Sequence, residues 1–341
     1  MSNPSAAEFE LPPPEPVAPV RERWLLHVGL FVATFACVAG LQWLSTQSVR
    51  DALMFTAALL AILTCHEFGH YFAGKYYGVS ISPPYFIPLP LPIGIGTLGA
   101  VIQIRTLIPT RNALVDIGAA GPIAGMVLGI PLLFWGTAHS HYAPVVYEAG
   151  IHLPGRASLW SAATTFAHAF QLAGGTLGAR FSAGGHALGA LLSPEPPVFW
   201  SGDCLLTWIP QRLFLGPRPP GQDLFLHPVA FAGWWACLVT MLNLFPIGQT
   251  DGGHVTAALF GKKAEWIGHG MHLSLLALIV FASPSWIGWL LVTRYLVGVR
   301  HPPVTQPQEP LSASRYVIAL VSLVLLVLTF IPVPFETRGG P

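Results

Sequence analysis

The chain has 341 residues, 53% of them hydrophobic and only 9% charged, with a formal net charge of +1. A soluble domain carries roughly a quarter charged residues, so an ordinary soluble fold is excluded, and the near-zero charge gives no footprint for a nucleic-acid partner. Several apolar runs approach or exceed the roughly 20 residues that cross a bilayer, which makes the lipid bilayer the expected surroundings.

Residues 1–20 are proline-rich and carry Glu8, Glu10 and Glu15. They cannot build a core and are expected to form a disordered tail. They lack the basic start and cleavage site of a signal peptide and do not resemble an acid-poor transit peptide, so the first apolar run is expected to stay as an anchor, in a bacterial inner membrane. Apolar segments at 24–46, 51–74, 113–137, 228–248, 266–282, 284–299 and 315–333 predict about seven transmembrane helices. The expected fold is an all-α polytopic membrane protein, with one integral-membrane domain over 21–335 and a short tail at 336–341.

Two stretches break the helical pattern. Residues 80–112 hold Pro83, Pro84, Pro88, Pro90 and Pro92, then Gly94, Gly96 and Gly99, which excludes a regular helix. Leu98 to Ile104 reads as a short strand after a turn, and the whole as a re-entrant β-hairpin or loop near the active site, where protein or a water-filled cavity shields its backbone from lipid. Its open edge suits an extended substrate; an ordinary interfacial loop is the alternative. Residues 138–226 are expected to form a long extracytoplasmic loop or a membrane-associated cap, with a moderately apolar stretch at Ala157–Ser193. Orientation follows the lysines and arginines of short loops. With the N-terminus in the cytoplasm, Arg21, Arg23, Lys75, Arg105, Arg111, Lys262, Lys263, Arg300 and Arg315 all fall on the cytoplasmic side.

The chemistry starts at His66-Glu67-Phe68-Gly69-His70. From Leu53 to Phe72 the only strongly polar side chains are His66, Glu67 and His70, and ionisable groups in a membrane segment are costly and rarely idle. Helical residues four apart share one face, so His66 and His70 aim both imidazoles at one ion. Glu67 is placed to take a proton from water, which is the physical content of H-E-x-x-H. Zinc favours nitrogen and oxygen donors in tetrahedral geometry and leaves one position open in a catalytic site. The expected cofactor is one zinc ion.

A third ligand is required. The acids after His70 are Asp116, Glu148, Glu195, Asp203, Asp223, Asp251, Glu265, Glu309 and Glu336, most of them in loops or tails. Asp251 ends an apolar span in the stretch Asn243-Leu-Phe-Pro246-Ile-Gly-Gln-Thr-Asp251-Gly-Gly, where Pro246 and Gly248 break the helix. Broken helices inside membranes border functional cavities. In the predicted topology, spans 51–74 and 228–248 both run inward, so Asp251 arrives on the side of His66 and His70, provided 138–226 crosses the membrane zero or two times. Cys65 adjoins His66, but reads more simply as a small buried hydrophobe. No C-x-x-C pair occurs among Cys37, Cys65, Cys204 and Cys237, which argues against a disulfide framework or a cysteine zinc knuckle.

His66-Glu67-x-x-His70 together with Asn243-x-x-Pro246-x-x-x-x-Asp251-Gly252 resembles the paired signatures of the site-2 proteases, intramembrane zinc metalloproteases of peptidase family M50. Pro84-Tyr-Phe-Ile-Pro88, Gly96-Thr-Leu-Gly99, Asp116-Ile-Gly-Ala-Ala-Gly121-Pro122-Ile-Ala-Gly125, His227-Pro228 and Gly252-Gly253-His254 resemble the branch named for ethylene-dependent gravitropism-deficient yellow-green proteins. The likeness covers roughly residues 50–335. It implies that His66, His70 and Asp251 bind zinc, that Glu67 is the general base, and that Asn243 holds the substrate or its developing oxyanion. It implies a membrane-protein substrate with a transmembrane segment, cleaved by regulated intramembrane proteolysis. Gly118, Gly121 and Pro122 would let a helix pack closely near the metal. No PDZ module or nucleotide-sensing domain of the kind some relatives carry is found in the sequence, so regulation through such modules is not expected.

Three other readings stay open on the residues alone. A different membrane zincin, of the prenyl-protein protease type, would draw a glutamate such as Glu265 from a later helix. A metal transporter would use scattered histidines such as His139, His141, His269 and His272. A non-proteolytic, chaperone-like pseudoprotease would keep the fold without the cleavage.

Overall fold

Capping residues set where the long helices begin. In the computed structural model, which describes residues 22–90, 95–144 and 198–338, α1 spans Trp24–Thr46 and α2 spans Val49–Tyr76. The Ser48 hydroxyl accepts the Asp51 amide at 3.2 Å, with Asp51 in the first turn of α2 and Lys75 in the last; both charges complement the helix dipole. Thr110 does the same for α3 (Arg111–Ala138), accepting from the Ala113 amide at 3.1 Å. Helix α3 carries Pro122 and Pro131 in its interior without ending, as membrane helices tolerate where neighbours enclose them.

The chain then passes through α4 (Leu205–Pro210) to α5 (Pro228–Leu244), which has proline at its first position, where the missing amide costs nothing. It continues to α6 (Asp251–Phe260), α7 (Ala264–Phe281), α8 (Trp286–Val292), a π-helical turn at Thr293–Val297, and α9 (Ala313–Thr329). Each of the seven predicted apolar segments is therefore helical over most of its length. Among the described residues, four helical stretches are long and apolar enough to cross a membrane: Trp24–Thr46, Val49–Tyr76, Arg111–Ala138 and Asp251–Phe281. The last joins α6 to α7 through a short 3₁₀ turn. Pro228–Leu244, Trp286–Val297 and Ala313–Thr329 are apolar but shorter. At 17 residues, α5 measures about 26 Å against a hydrocarbon core of about 30 Å. It stops early because Phe245, preceding Pro246, is pushed to an extended conformation (ψ 135°).

The expected hairpin forms: β1 (Tyr85–Pro88) pairs antiparallel with β2 (Thr97–Val101), and Ser82–Gln103 and Arg105–Ser80 backbone bonds extend the unit. Phe86 of β1 is buried in one cluster with Val38 of α1 and Phe55, Leu59 and Leu63 of α2, one turn before His66. Two further antiparallel pairs, β3 (His141–Pro144) with β5 (Gln222–Phe225) and β4 (Val198–Ser201) with β6 (Phe335–Arg338), depart from the single hairpin expected. The first joins the two ends of the 138–226 stretch, whose residues 145–197, like the tail at 1–20, lie outside the described residues.

Helix α3 is the hub. It packs along α2 and is also flanked by α5 and α6. A second cluster, with Met126 and Leu133 of α3, Trp234 and Met241 of α5, Phe245, Leu275 of α7 and Trp286 of α8, fills the other side. Its two fully buried tryptophans find acceptors for their ring N–H groups, Trp234 on the Gly202 carbonyl at 2.6 Å and Trp286 on the Pro332 carbonyl at 2.9 Å.

Candidate metal centre

His66 and His70 lie on the face of α2 that meets α3, and both are buried. The His70 Nδ1 is 2.6 Å from the Ile117 carbonyl oxygen. A carbonyl only accepts, so Nδ1 carries the proton and Nε2 is left with its lone pair facing the site. Asp251 reaches the same place from α6. Thr250 caps that helix by accepting the Gly253 amide at 3.1 Å, and Asp251 is its first residue, where the helix dipole favours a carboxylate.

Three side chains converge. His66 Nε2 and His70 Nε2 are 3.2 Å apart, His66 Nε2 is 3.3 Å from Asp251 Oδ2, and His70 Nε2 is 3.3 Å from Asp251 Oδ1. Zinc–nitrogen bonds of about 2.0–2.1 Å in a tetrahedron place neighbouring donors about 3.3 Å apart, so the three spacings suit one such ion. Asp251 Oδ2 is buried with no hydrogen-bond partner among the described residues, which is costly unless something binds it. These three are the one group of three or more histidine, cysteine or acidic side chains arranged to hold a metal among the described residues. Glu265 is exposed at the start of α7, and neither it nor Cys65 belongs to the group.

Glu67 is 8% exposed, and its carboxylate makes no hydrogen bond or ion pair among the described residues. Asn243, in the last turn of α5, brings its side-chain nitrogen to 3.3 Å from His66 Nε2. His66, His70, Asp251 and Asn243 thus meet at one place, and Glu67 follows His66 directly on α2.

Helix α3 approaches this place through glycine. A Cβ on Gly121 would fall 2.0 Å from His70 Nε2, and one on Gly118 would fall 2.8 Å from the His254 Cβ and 2.9 Å from the Asp251 carbonyl oxygen. Gly118 and Gly121 thus let α3 pack closely against α6 and the His70 ring. The Ile117 carbonyl that orients His70 left no trace in the sequence, because a backbone acceptor has no residue type. Gly125, whose Cβ would sit 3.2 Å from that of His66, follows Gly118 and Gly121 at helical spacing, a signal the sequence did carry. The Gly121→Ala protein is expected to fold but to bind zinc far less tightly, since His70 is pinned at Nδ1 and its ring must yield. Zinc content after gel filtration against wild type checks this.

The peptidase family M50 profile matches residues 54–282, well over half of the chain. The chain belongs to peptidase family M50. The match takes in His66, Glu67 and His70 of α2, Asn243 of α5 and Asp251. The chain is 26% identical over 285 residues to the probable zinc metalloprotease EGY1, chloroplastic, of Arabidopsis thaliana, covering 84% of this chain and 44% of that protein. It is 28% identical over 286 residues to the Oryza sativa subsp. japonica protein of the same name (83% and 41%). It is 27% identical over 332 residues to the probable zinc metalloprotease EGY3, chloroplastic, of Oryza sativa subsp. indica (91% and 48%). The chain spans less than half the length of these relatives. No solved structure gives a significant match.

This M50 chain is thus similar to proteins named as probable zinc metalloproteases, and its long apolar helices suit a membrane-embedded family. The relatives are chloroplastic by name, so the expectation of a bacterial inner membrane draws no support from them.

Proposed function

We propose that the chain is an intramembrane zinc metalloendopeptidase that hydrolyses a peptide bond within, or at the edge of, the transmembrane segment of a membrane-protein substrate. The observation that carries this reading is the meeting of His66, His70 and Asp251 between helices apolar enough to lie in lipid, with Glu67 next to His66 on α2. His66, His70 and Asp251 hold the metal. Zinc in that place supplies Lewis-acid activation of water and polarisation of the scissile carbonyl. Glu67 accepts the proton of the attacking water and passes it to the leaving amine. Asn243 donates its amide N–H to the carbonyl oxygen that gains charge, an interaction of a few kcal/mol in comparable sites.

The substrate must unwind locally, because helical backbone groups are already paired and cannot present a carbonyl. Strand β2 offers a place for the unwound segment. Leu98 and Val101 on it are 67% and 51% exposed, and β1–β2 is a two-stranded sheet, so β2 has an edge able to add a strand. This fits a re-entrant position for the hairpin. We further propose a single membrane domain over 21–335 with seven spans, the three shorter helices crossing with the help of local bilayer thinning. The N-terminus is cytoplasmic, on the charge distribution.

The test is cleavage of a membrane-inserted peptide by the purified chain in liposomes, with the cut mapped by mass spectrometry and the Glu67→Gln protein as reference. A cut in or beside the apolar segment supports the reading. Cleavage of soluble peptides alone contradicts it.

A further inference from the structure

Asp251 stands on a short bridge between two helices, and a second segment braces that bridge. After the π-helical turn at Thr293–Val297 the chain crosses the break between α5 and α6. A Cβ on Gly248, which has φ +51°, would fall 2.1 Å from the Gly298 carbonyl oxygen, so the two backbones touch directly. Val299 lies against Gly268 of α7, beside the Pro246 carbonyl. Further on, Thr305 and Gln306 bond through their amides to the Ile108 and Pro109 carbonyls at 3.2 and 2.9 Å, just before α3. The Ser312 amide bonds to the Asn112 side chain at 3.0 Å. The stretch 298–312 is therefore a strap fixed at both ends.

His301 lies in this strap. Its Nδ1 is 2.6 Å from the Pro302 carbonyl oxygen, which can only accept, so Nδ1 holds the proton. In the neutral ring Nε2 is then an acceptor. It faces His254 Nδ1 at 2.5 Å, with the rings edge to face at 85°. His254 thus donates to His301. His254 is three residues beyond Asp251 on α6, about one turn, so both side chains issue from one side of the helix. Its Cβ sits against Gly118 of α3, as does the Asp251 carbonyl. The first turn of α6 is held between α3 and the strap, and the hydrogen bond of the histidine pair is its side-chain link to the strap.

We infer that His301 is a positioning residue for the metal centre: by accepting a hydrogen bond from His254 it fixes the first turn of α6 and aims the Asp251 carboxylate at His66 and His70. The inference rests on the proposed metal centre and extends it to a segment about 50 residues away in sequence, which touches none of the three metal-binding side chains. Partners that orient a ligand commonly change metal affinity by roughly tenfold to a hundredfold when removed.

The experiment is zinc competition with a calibrated chelator on the purified full chain, comparing wild type, His301→Leu and His301→Gln. Apo-protein melting is measured in parallel. The leucine form removes the acceptor; the glutamine form returns a carbonyl oxygen near the position of Nε2. Expected are a roughly tenfold to hundredfold loss of zinc affinity in the leucine form, restoration to within about threefold in the glutamine form, and apo melting that does not follow that order. Wild-type affinity in the leucine form overturns the inference while leaving the metal centre standing. So does equal loss in both variants accompanied by equal loss of apo stability, which marks plain structural damage. A wild-type chain that holds no zinc overturns the metal centre itself. The readout is metal binding, so a failure to find proteolysis does not bear on it.

Discussion

Glu67→Gln leaves zinc in place and abolishes cleavage, lowering kcat/KM by about 10²–10⁴-fold, the usual contribution of a general base. The substitution keeps the size and shape of the side chain and removes the carboxylate that takes the proton. It does not touch the three groups that converge at 3.2–3.3 Å. Zinc content and melting temperature therefore stay near wild type. Because Glu67 is buried and makes no ion pair among the described residues, its replacement leaves no lysine or arginine stranded. Proteolysis at the wild-type rate in this variant removes Glu67 from its role. An inactive wild type with full zinc would instead favour the non-proteolytic reading.

Asp251→Ala has the opposite signature: zinc is lost, and activity goes with it. Structural zinc sites bind with about 10–16 kcal/mol. If three protein donors share a binding energy of that order, losing one costs roughly 3–5 kcal/mol, or about 10²–10⁴-fold in affinity. Glu265→Ala, exposed at the start of α7, retains wild-type zinc. Wild-type zinc in Asp251→Ala with zinc lost in Glu265→Ala would move the third ligand to Glu265, and wild-type zinc in both would move it to another acid.

The two variants probe the part of the site that was legible in the sequence. His66 and His70 stand out because three ionisable groups in an apolar helix demand a reason. Asp251 stands out because Pro246 breaks the preceding helix beside it. The seven apolar runs were also legible, since hydropathy alone reports them. What stayed hidden depends on contacts between distant parts of the chain. The β3–β5 and β4–β6 pairs join four-residue segments, too short for a period-two pattern to rise above their surroundings. The Ile117 carbonyl that sets the His70 tautomer is backbone. His301 lies in a proline-flanked loop, and nothing local marks it as the partner of His254; only the folded strap brings them together. Gly121 was legible as a packing residue, but not as the one against the His70 ring.

The central claim is that two imidazoles from α2 and one carboxylate from α6 hold a single zinc ion. Zinc K-edge X-ray absorption on the purified wild-type chain tests it most directly. The account predicts one zinc per chain with only nitrogen and oxygen neighbours at about 2.0–2.2 Å, two of them imidazole. A sulfur neighbour at about 2.3 Å, as Cys65 would give, or a spectrum with a single imidazole, would contradict it.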